Sequence, residues 1–338
     1  MIASGRYSLP FHERVVVSIP LIDIADFDPE SGKAGSKVIQ QWRKALDSIG
    51  FVTIRGHGIS QHLMTDLYRE ATAFFERPLE EKLLHGVSNP HERGSVGYIP
   101  PLGESVGRTS GKGNAPDTVE SLSFSDIAAI APGEERPPED RSGGLPPELA
   151  AAAKAYANTA YALGLRLMRL SAAALGLESD YFDALYSPMQ HKLRLAYYPE
   201  QLVSPAPGQL RNAAHTDFAG FTILLQDSAP GGLQVLMPDG SWENVPSVPG
   251  ALVINTGDLL QRWTNNRWVS NLHRVVNPPT ESRGSSRRLS IVFFTGPRDD
   301  AIISCLPGCS SQHALARYPP ITAGEHTQAK IRQTYEAS

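Results

Sequence analysis

Apolar positions recur along this chain at two periods. In "KVIQQWRKALDSIG", residues 37 to 50, Val38, Ile39, Trp42, Ala45, Leu46 and Ile49 fall three and four apart. That is the period of a helix with one buried face, and Gly50 suits its C-terminal stop. "FVTIR" (51 to 55) follows as a short β-rich run. "SQHLMTDLYREATAFFERPLEEKLLH" opens on Ser60, a residue type that caps helix N-termini, and keeps the helical spacing to residue 85. A longer helix is predicted over 147 to 178, "PELAAAAKAYANTAYALGLRLMRLSAAALGLE". The first third therefore reads as helical with one strand.

From about residue 189 the period changes. Short apolar runs recur between turn signals: "KLRLAYY", "FTILLQ", "GLQVLM", "SWENV", "ALVIN", "LHRVV", "RRLSIVFFT" and "AIISC". Pro238-Asp239-Gly240 between two of them is a hairpin signal. Strands at this spacing, without parallel βαβ alternation, predict a sandwich or barrel. The closing "PPITAGEHTQAKIRQTYEAS" reads as a loop and a final helix. The fold class expected is mainly β with flanking helices. Residues 86 to 118 and 132 to 147 are dense in Gly, Pro and polar residues and are expected as long connections, the first of the kind that forms lids or binding loops. The boundaries expected are a helical and β region over 1–118, a connector and long helix over 119–185, a β core over 186–310 and a C-terminal helix over 311–338.

Composition narrows the function. The 338 residues suffice for a sizeable core. A net charge of −4 gives no electrostatic case for nucleic acid or an anionic membrane. No run is long and apolar enough to span a bilayer, and the amino terminus lacks the pattern of a secretory signal, so a cytoplasmic protein is expected. Cys305 and Cys309 imply no disulfide framework and, without a second ligand pair, are read as loop thiols.

Candidate chemistry lies in the β region. "RNAAHTDFAGFTILLQD" places His215 and Asp217 two apart at the head of an apolar run, and two apart on a strand means one face. Alone, such a pair is a metal clamp, a general-base pair or an ordinary strand edge. His273 heads a later run, 56 residues beyond Asp217, far enough to return across a barrel. Two histidines and a carboxylate on one face, with coordination positions left open, form the facial triad of non-haem Fe(II) oxygenases. In "RRLSIVFF", Arg288 and Ser290 again share a face, a guanidinium fork and a hydroxyl suited to a carboxylate. An arginine directed into a barrel calls for an anion, and 2-oxoglutarate would answer, with Tyr198 of "LAYYP" as a further donor. His12, His57, His62, His85, His91, His191, His313 and His326 lack partners at ligand spacing and are read as structural.

Taken together, these motifs resemble the iron/2-oxoglutarate-dependent dioxygenases of the isopenicillin N synthase-like group. "IPLIDI", "GFVTIRGHGIS" and "AFFERPLEEK" resemble that family's amino-terminal region. "HTDFAGFTILLQD", "NTGDLLQRWTNNRWVSNLHRVVNP" and "RRLSIVFFTGP" resemble its core. The resemblance spans about residues 18 to 336 and implies a double-stranded β-helix, or jelly roll, within 186–310. It implies His215, Asp217 and His273 as catalytic iron ligands, and Arg288, Ser290 and Tyr198 as holders of 2-oxoglutarate. It also implies an enzyme that uses Fe(II), 2-oxoglutarate and O2 to hydroxylate, desaturate or cyclise a small molecule, in secondary-metabolite biosynthesis such as that of antibiotics. Two departures stand out. Many members carry Asn where this chain has Ala196, and the interval from His273 to Arg288, 15 residues, is longer than usual. Two alternatives stay open: a same-fold oxidase in which Arg288 and Ser290 grip the substrate's own carboxylate, and a jelly-roll binding protein with the metal as a plug. Tyr98, Ile99, Phe218 and Phe294 are the candidates for the substrate wall.

Overall fold

The computed structural model describes residues 18–29, 36–87, 96–111, 115–128, 145–312 and 315–335. The chain opens with strand β1 (Leu21–Asp23), helix α1 (Ser36–Ser48) and strand β2 (Phe51–Arg55). Trp42, Ala45, Leu46 and Ile49 of the helical stripe are all buried, as the period predicts. Burying each large member contributes about 1.5–3 kcal/mol. Gly50 follows at φ +72°, and a Cβ there would stand 1.8 Å from the Val269 carbonyl oxygen, so both conformation and space demand glycine.

The expected helix from residue 60 is two helices, α2 (Gln61–Phe75) and α3 (Leu79–Leu83), because Pro78 cannot continue the first. Ser60 caps α2, its hydroxyl accepting from the Leu63 amide at 3.3 Å. Strands β3 (Gly97–Ile99) and β4 (Glu120–Ser125) come next, then the long helix α4 (Pro147–Leu175), closed by Gly176 in the left-handed conformation. Two expectations fail here. The first third holds three strands rather than one, with β4 just beyond it, and β1 pairs with β2 in parallel across α1, so one βαβ unit does exist. β1 and β3 are three residues each, too short to show a period. Where described, the expected loop 86–118 contains β3 and a 3-10 turn over Val106–Ser110. Most of the second connector, 132–144, lies outside the described residues.

The second half supplies β5 (Gln190–Tyr198), β6 (Asn212–His215), β7 (Phe221–Gln226), β8 (Leu233–Leu236), β9 (Trp242–Asn244) and β10 (Leu252–Thr256). Helix α5 (Asp258–Trp263) precedes β11 (His273–Val275), β12 (Arg288–Gly296), β13 (Ile302–Ile303), β14 (Ile321–Thr322) and helix α6 (Ala323–Tyr335). Each of the eight β runs read from the sequence is a strand. The longer interval before Arg288 forms a 3-10 turn at Thr280–Ser285 and leaves β12 in continuous register with β5.

An eight-stranded sheet, ordered β1-β2-β10-β7-β12-β5-β4-β3, faces a four-stranded sheet, β6-β11-β8-β9. This is the jelly-roll arrangement flanked by helices. Alternation along β12 sends Leu289, Ile291 and Phe293 into the core shared with α4. Arg288, Ser290, Val292 and Phe294 go to the opposite face, into a cavity between the two sheets. No helix among the described residues is long and apolar enough to cross a membrane.

Candidate functional site

The cavity has a volume of about 550 Å³ and takes side chains from both sheets. His215 ends β6, His273 begins β11, and the two are direct antiparallel partners. Asp217 is not on the strand as expected: β6 stops at His215, and Asp217 lies in the connection to β7. The turn, rather than strand alternation, returns its carboxylate to the histidines. That turn is fixed by Asp258, whose backbone N–H donates to the Asp217 carbonyl at 2.8 Å and whose carboxylate accepts from Thr216 at 3.2 Å. Lys330 of α6 and Ser270 hold the same carboxylate, each at 2.6 Å.

Asp217 Oδ1 stands 3.8 Å from His215 Nε2 and 3.7 Å from His273 Nε2. Each imidazole is oriented from behind. His215 Nδ1–H donates to the Ala213 carbonyl at 2.8 Å and His273 Nδ1–H to the Asn271 carbonyl at 3.1 Å. A carbonyl can only accept, so both Nε2 atoms carry lone pairs toward the cavity. Asp217 Oδ2 is occupied, accepting from Thr222 Oγ1 at 2.5 Å and Asn255 Nδ2 at 2.6 Å, which leaves Oδ1 free. Three buried donors thus converge with their ligand atoms within 4.8 Å of one another. Two nitrogens and one oxygen on one side, with the other side open to the cavity, fit a borderline divalent ion such as Fe(II).

Electrostatics favour that state. Burial and the neighbouring His273 bring His215 down to about 4, against the opposing pull of Asp217, so the imidazole is neutral. Burial pushes Asp217 upward, but His273, His215 and the two hydrogen bonds outweigh it and hold the carboxyl below its ordinary range. Ligands of a metal must be deprotonated, and these shifts keep His215 and Asp217 so.

Arg288 and Ser290 line the same cavity, both buried, with Tyr198 directly across the strand pair from Arg288. The anion expected to meet Arg288 is in part the chain's own. Arg288 Nη1 donates to Asp227 Oδ1 at 3.2 Å and Nη2 to Gln226 Oε1 at 2.8 Å, while Nε has no partner among the described residues. Asp227 is held in turn by the Tyr68 hydroxyl and the Leu289 amide, at 2.9 and 2.8 Å. A second cation adjoins this end. Arg211 is buried against Tyr198, its guanidinium spent on the carbonyls of Pro230, Pro199 and Ser286. Burial, then Arg288, lowers Arg211 to about 10. Two guanidiniums against one carboxylate leave room for one further negative charge.

Phe218 and Phe294 line the cavity; Tyr98 and Ile99 do not. Those two belong to β3, at the edge of the large sheet, and are buried. The Tyr98 hydroxyl bonds Glu120, which also accepts from Lys82 at 2.6 Å, so the ring closes a buried ion pair. Ala196 lines the cavity beside Ser290, offering only a methyl group. Among the histidines read as structural, His191 borders the cavity, but its Nε2 accepts from the Ala128 amide at 3.0 Å. His12, His91 and His313 lie outside the described residues. Thr222, Asn255, Asp227, Asp258 and Arg211 were not picked out in the sequence. Thr222 and Asn255 left one signal: each is a polar residue on the strand face that turns to the cavity, within an otherwise apolar run.

The family model of the 2OG-Fe(II) oxygenase superfamily matches residues 189–297. That of the non-haem dioxygenase in morphine synthesis N-terminal region matches residues 19–142. The chain is 32% identical to the 2-oxoglutarate-Fe(II) type oxidoreductase hxnY of Emericella nidulans, over 94% of this chain and 90% of that protein. It is 28% identical to the validamycin A dioxygenase of Streptomyces hygroscopicus subsp. limoneus, over 91% and 84%. Among solved structures, a full-length Neurospora crassa protein in complex with alpha-KG and thymine superposes with a TM-score of 0.79 at 26% identity, covering 95% of this chain and 98% of that one.

Proposed function

The chain belongs to the 2OG-Fe(II) oxygenase superfamily, and from that premise we propose that His215, Asp217 and His273 hold its iron while Arg288, Ser290 and Tyr198 take the far carboxylate of 2-oxoglutarate. The enzyme is a 2-oxoglutarate-dependent dioxygenase that uses Fe(II), 2-oxoglutarate and O2. Its further substrate is a small molecule, and the naming of relatives such as the validamycin A dioxygenase supports a role in specialised biosynthesis. The observation that carries the reading is the convergence of three oriented donors and a buried arginine in one cavity.

Bound at the triad, iron supplies the centre at which O2 converts 2-oxoglutarate to succinate and CO2 while a C–H bond of the substrate is oxidised. The chain's own part is positional. Thr222 and Asn255 occupy Oδ2 of Asp217, so that only Oδ1 would be offered to the metal. Arg288, held by Asp227 and Gln226, presents a fixed fork to the co-substrate. Leu224, Val292 and Phe294 exclude water along the wall between triad and arginine. Thr327 and Ile331 of α6 border the same cavity, so the C-terminal helix helps enclose it.

Succinate release by the purified protein with Fe(II), 2-oxoglutarate and O2 tests the reading. The expected result is a slow basal release that rises when a metabolite pool containing the substrate is added. Product that forms without 2-oxoglutarate would establish the oxidase alternative. Asn255→Ala should weaken iron retention by about 10–100-fold, because a ligand's hydrogen-bonded support is lost. Chelator competition measures this, and unchanged retention would show that the Asn255 contact serves only packing.

A further inference from the structure

Lys192 is a charged residue of the cavity that neither the triad nor the arginine end uses. Alternation along β5 turns Gln190, Lys192, Arg194, Ala196 and Tyr198 to the cavity. In register, Lys192 neighbours Phe294 of β12, which neighbours Thr222 of β7, the residue bonded to Asp217. Strands lie ~4.8 Å apart, so roughly 10 Å of sheet separates Lys192 from Thr222. Arg288 is six residues further along β12 from Phe294, ~20 Å at the rise of a strand. Lys192 therefore sits level with the triad, away from the end assigned to 2-oxoglutarate.

The charges around it do not balance. Arg194 is ion-paired with Glu104, one contact being Nη1 to Oε2 at 3.2 Å. Glu104 neutralises only one of the two cations. Among the described residues the Lys192 ammonium has no hydrogen-bond or ion-pair partner. Burial pulls it down to about 8, with Arg194 adding to the fall and Glu104 opposing it. Of the nearby carboxylates, Asp117 accepts from the Val106 and Ala213 amides, and Asp126, whose Oδ1 accepts from the His191 amide at 3.4 Å, borders the cavity. Asp299 is the remaining acid of the lining, at the start of the segment that leads to α6. Across the strand pairs Lys192 faces the Phe294 ring on one side and Ser125 on the other, and Phe218 lines the same cavity. A half-buried, unpartnered cation next to aromatic surface is stabilised by an anion that brings its own apolar body.

We propose that the primary substrate is a small carboxylic acid whose apolar body lies against Phe218 and Phe294 and whose carboxylate is seated at Lys192. This rests on reading the cavity as the oxygenase site. It makes Lys192 a specificity-determining residue.

Anaerobic thermal-shift titration of the full chain, loaded with Fe(II) and saturating 2-oxoglutarate, tests it. The probes are benzoate, phenylacetate, cinnamate and cyclohexanecarboxylate beside their primary amides. At least one acid should raise the midpoint at concentrations where its amide does nothing. Lys192→Met should lower the apparent affinity for that acid at least about tenfold. Lys192→Arg, which keeps the charge, should retain most of it. The shift caused by 2-oxoglutarate itself is read first. If the wild type shows none, the oxygenase reading falls. If 2-oxoglutarate binds but acids bind no better than amides, or no probe binds, only the acid proposal is overturned. Should Lys192→Met not fold, the acid–amide comparison on the wild type and Lys192→Arg still decide.

Discussion

His215→Ala and Asp217→Ala lose iron-dependent turnover while the chain stays folded. Loss of a mere support for a ligand already costs about 10–100-fold, so loss of a ligand itself should exceed ~100-fold. The fold survives because the core beside the triad is built from other residues: Phe221 and Ile223 of β7 and Leu252 and Ile254 of β10 lie in the main core. Iron content after desalting and succinate release are the two readouts. Iron content and activity retained in His215→Ala without added imidazole would remove the triad from the mechanism. The metal-free protein carries a further signature. His215 falls from an ordinary 6.5 to about 4 in the folded chain, chiefly through burial. A depressed histidine is protonated first in the unfolded state, so its contribution is intact above pH 6.5 and is lost as pH falls toward about 4. In chelator, the melting temperature of the wild type should therefore decline across that window. His215→Ala should flatten the decline, and identical profiles would show that His215 is not the group responsible.

Arg288→Ala weakens 2-oxoglutarate and the fold together, for separable reasons. A bond to a charged group contributes about 1.5–3 kcal/mol, and ~1.4 kcal/mol is a factor of ten, so affinity should fall at least about tenfold. Arg288→Lys should restore part, since a point charge cannot reproduce the fork. Ser290→Ala should lose less, as it removes one neutral donor. The structure adds a consequence for stability. The Arg288 side chain is 3% exposed and that of Asp227 16%, so removing the arginine strands a buried carboxylate. Breaking such a pair costs about 3–5 kcal/mol; the bonds from Tyr68, Leu289 and Ala229 that Asp227 keeps favour the lower end. Arg288→Ala with Asp227→Asn should then recover stability in denaturant unfolding without recovering 2-oxoglutarate affinity. Recovery of both in the double variant would show that Arg288 only neutralises Asp227 and does not touch the co-substrate.

The two halves of the site were unequally legible. Arg288 and Ser290 could be placed on one face because they stand two apart on one continuous strand, whose Leu289, Ile291 and Phe293 turn to the core. The same alternation on β5 brings Tyr198 in. His215 and Asp217 share one cavity, but not through strand alternation, since the strand ends between them and the Asp258-anchored turn completes the approach. Tyr98 and Ile99 were misplaced because three-residue β3 sits in a Gly- and Pro-rich stretch whose composition reads as loop.

By itself the sequence determined the elements and the donors. Period three-to-four and period two are local properties of the chain, and the residue types able to bind iron or a carboxylate are few enough to mark. It did not determine which polar residues would be spent on one another. Asp227 on Arg288, Asn255 on Asp217, Glu120 on Tyr98 and Lys82, and Glu104 on Arg194 are partnerships between strands and loops far apart in the chain. The tertiary structure decided them, because a buried charge must find its partner in space, and sheet register, which no single strand encodes, sets what lies opposite.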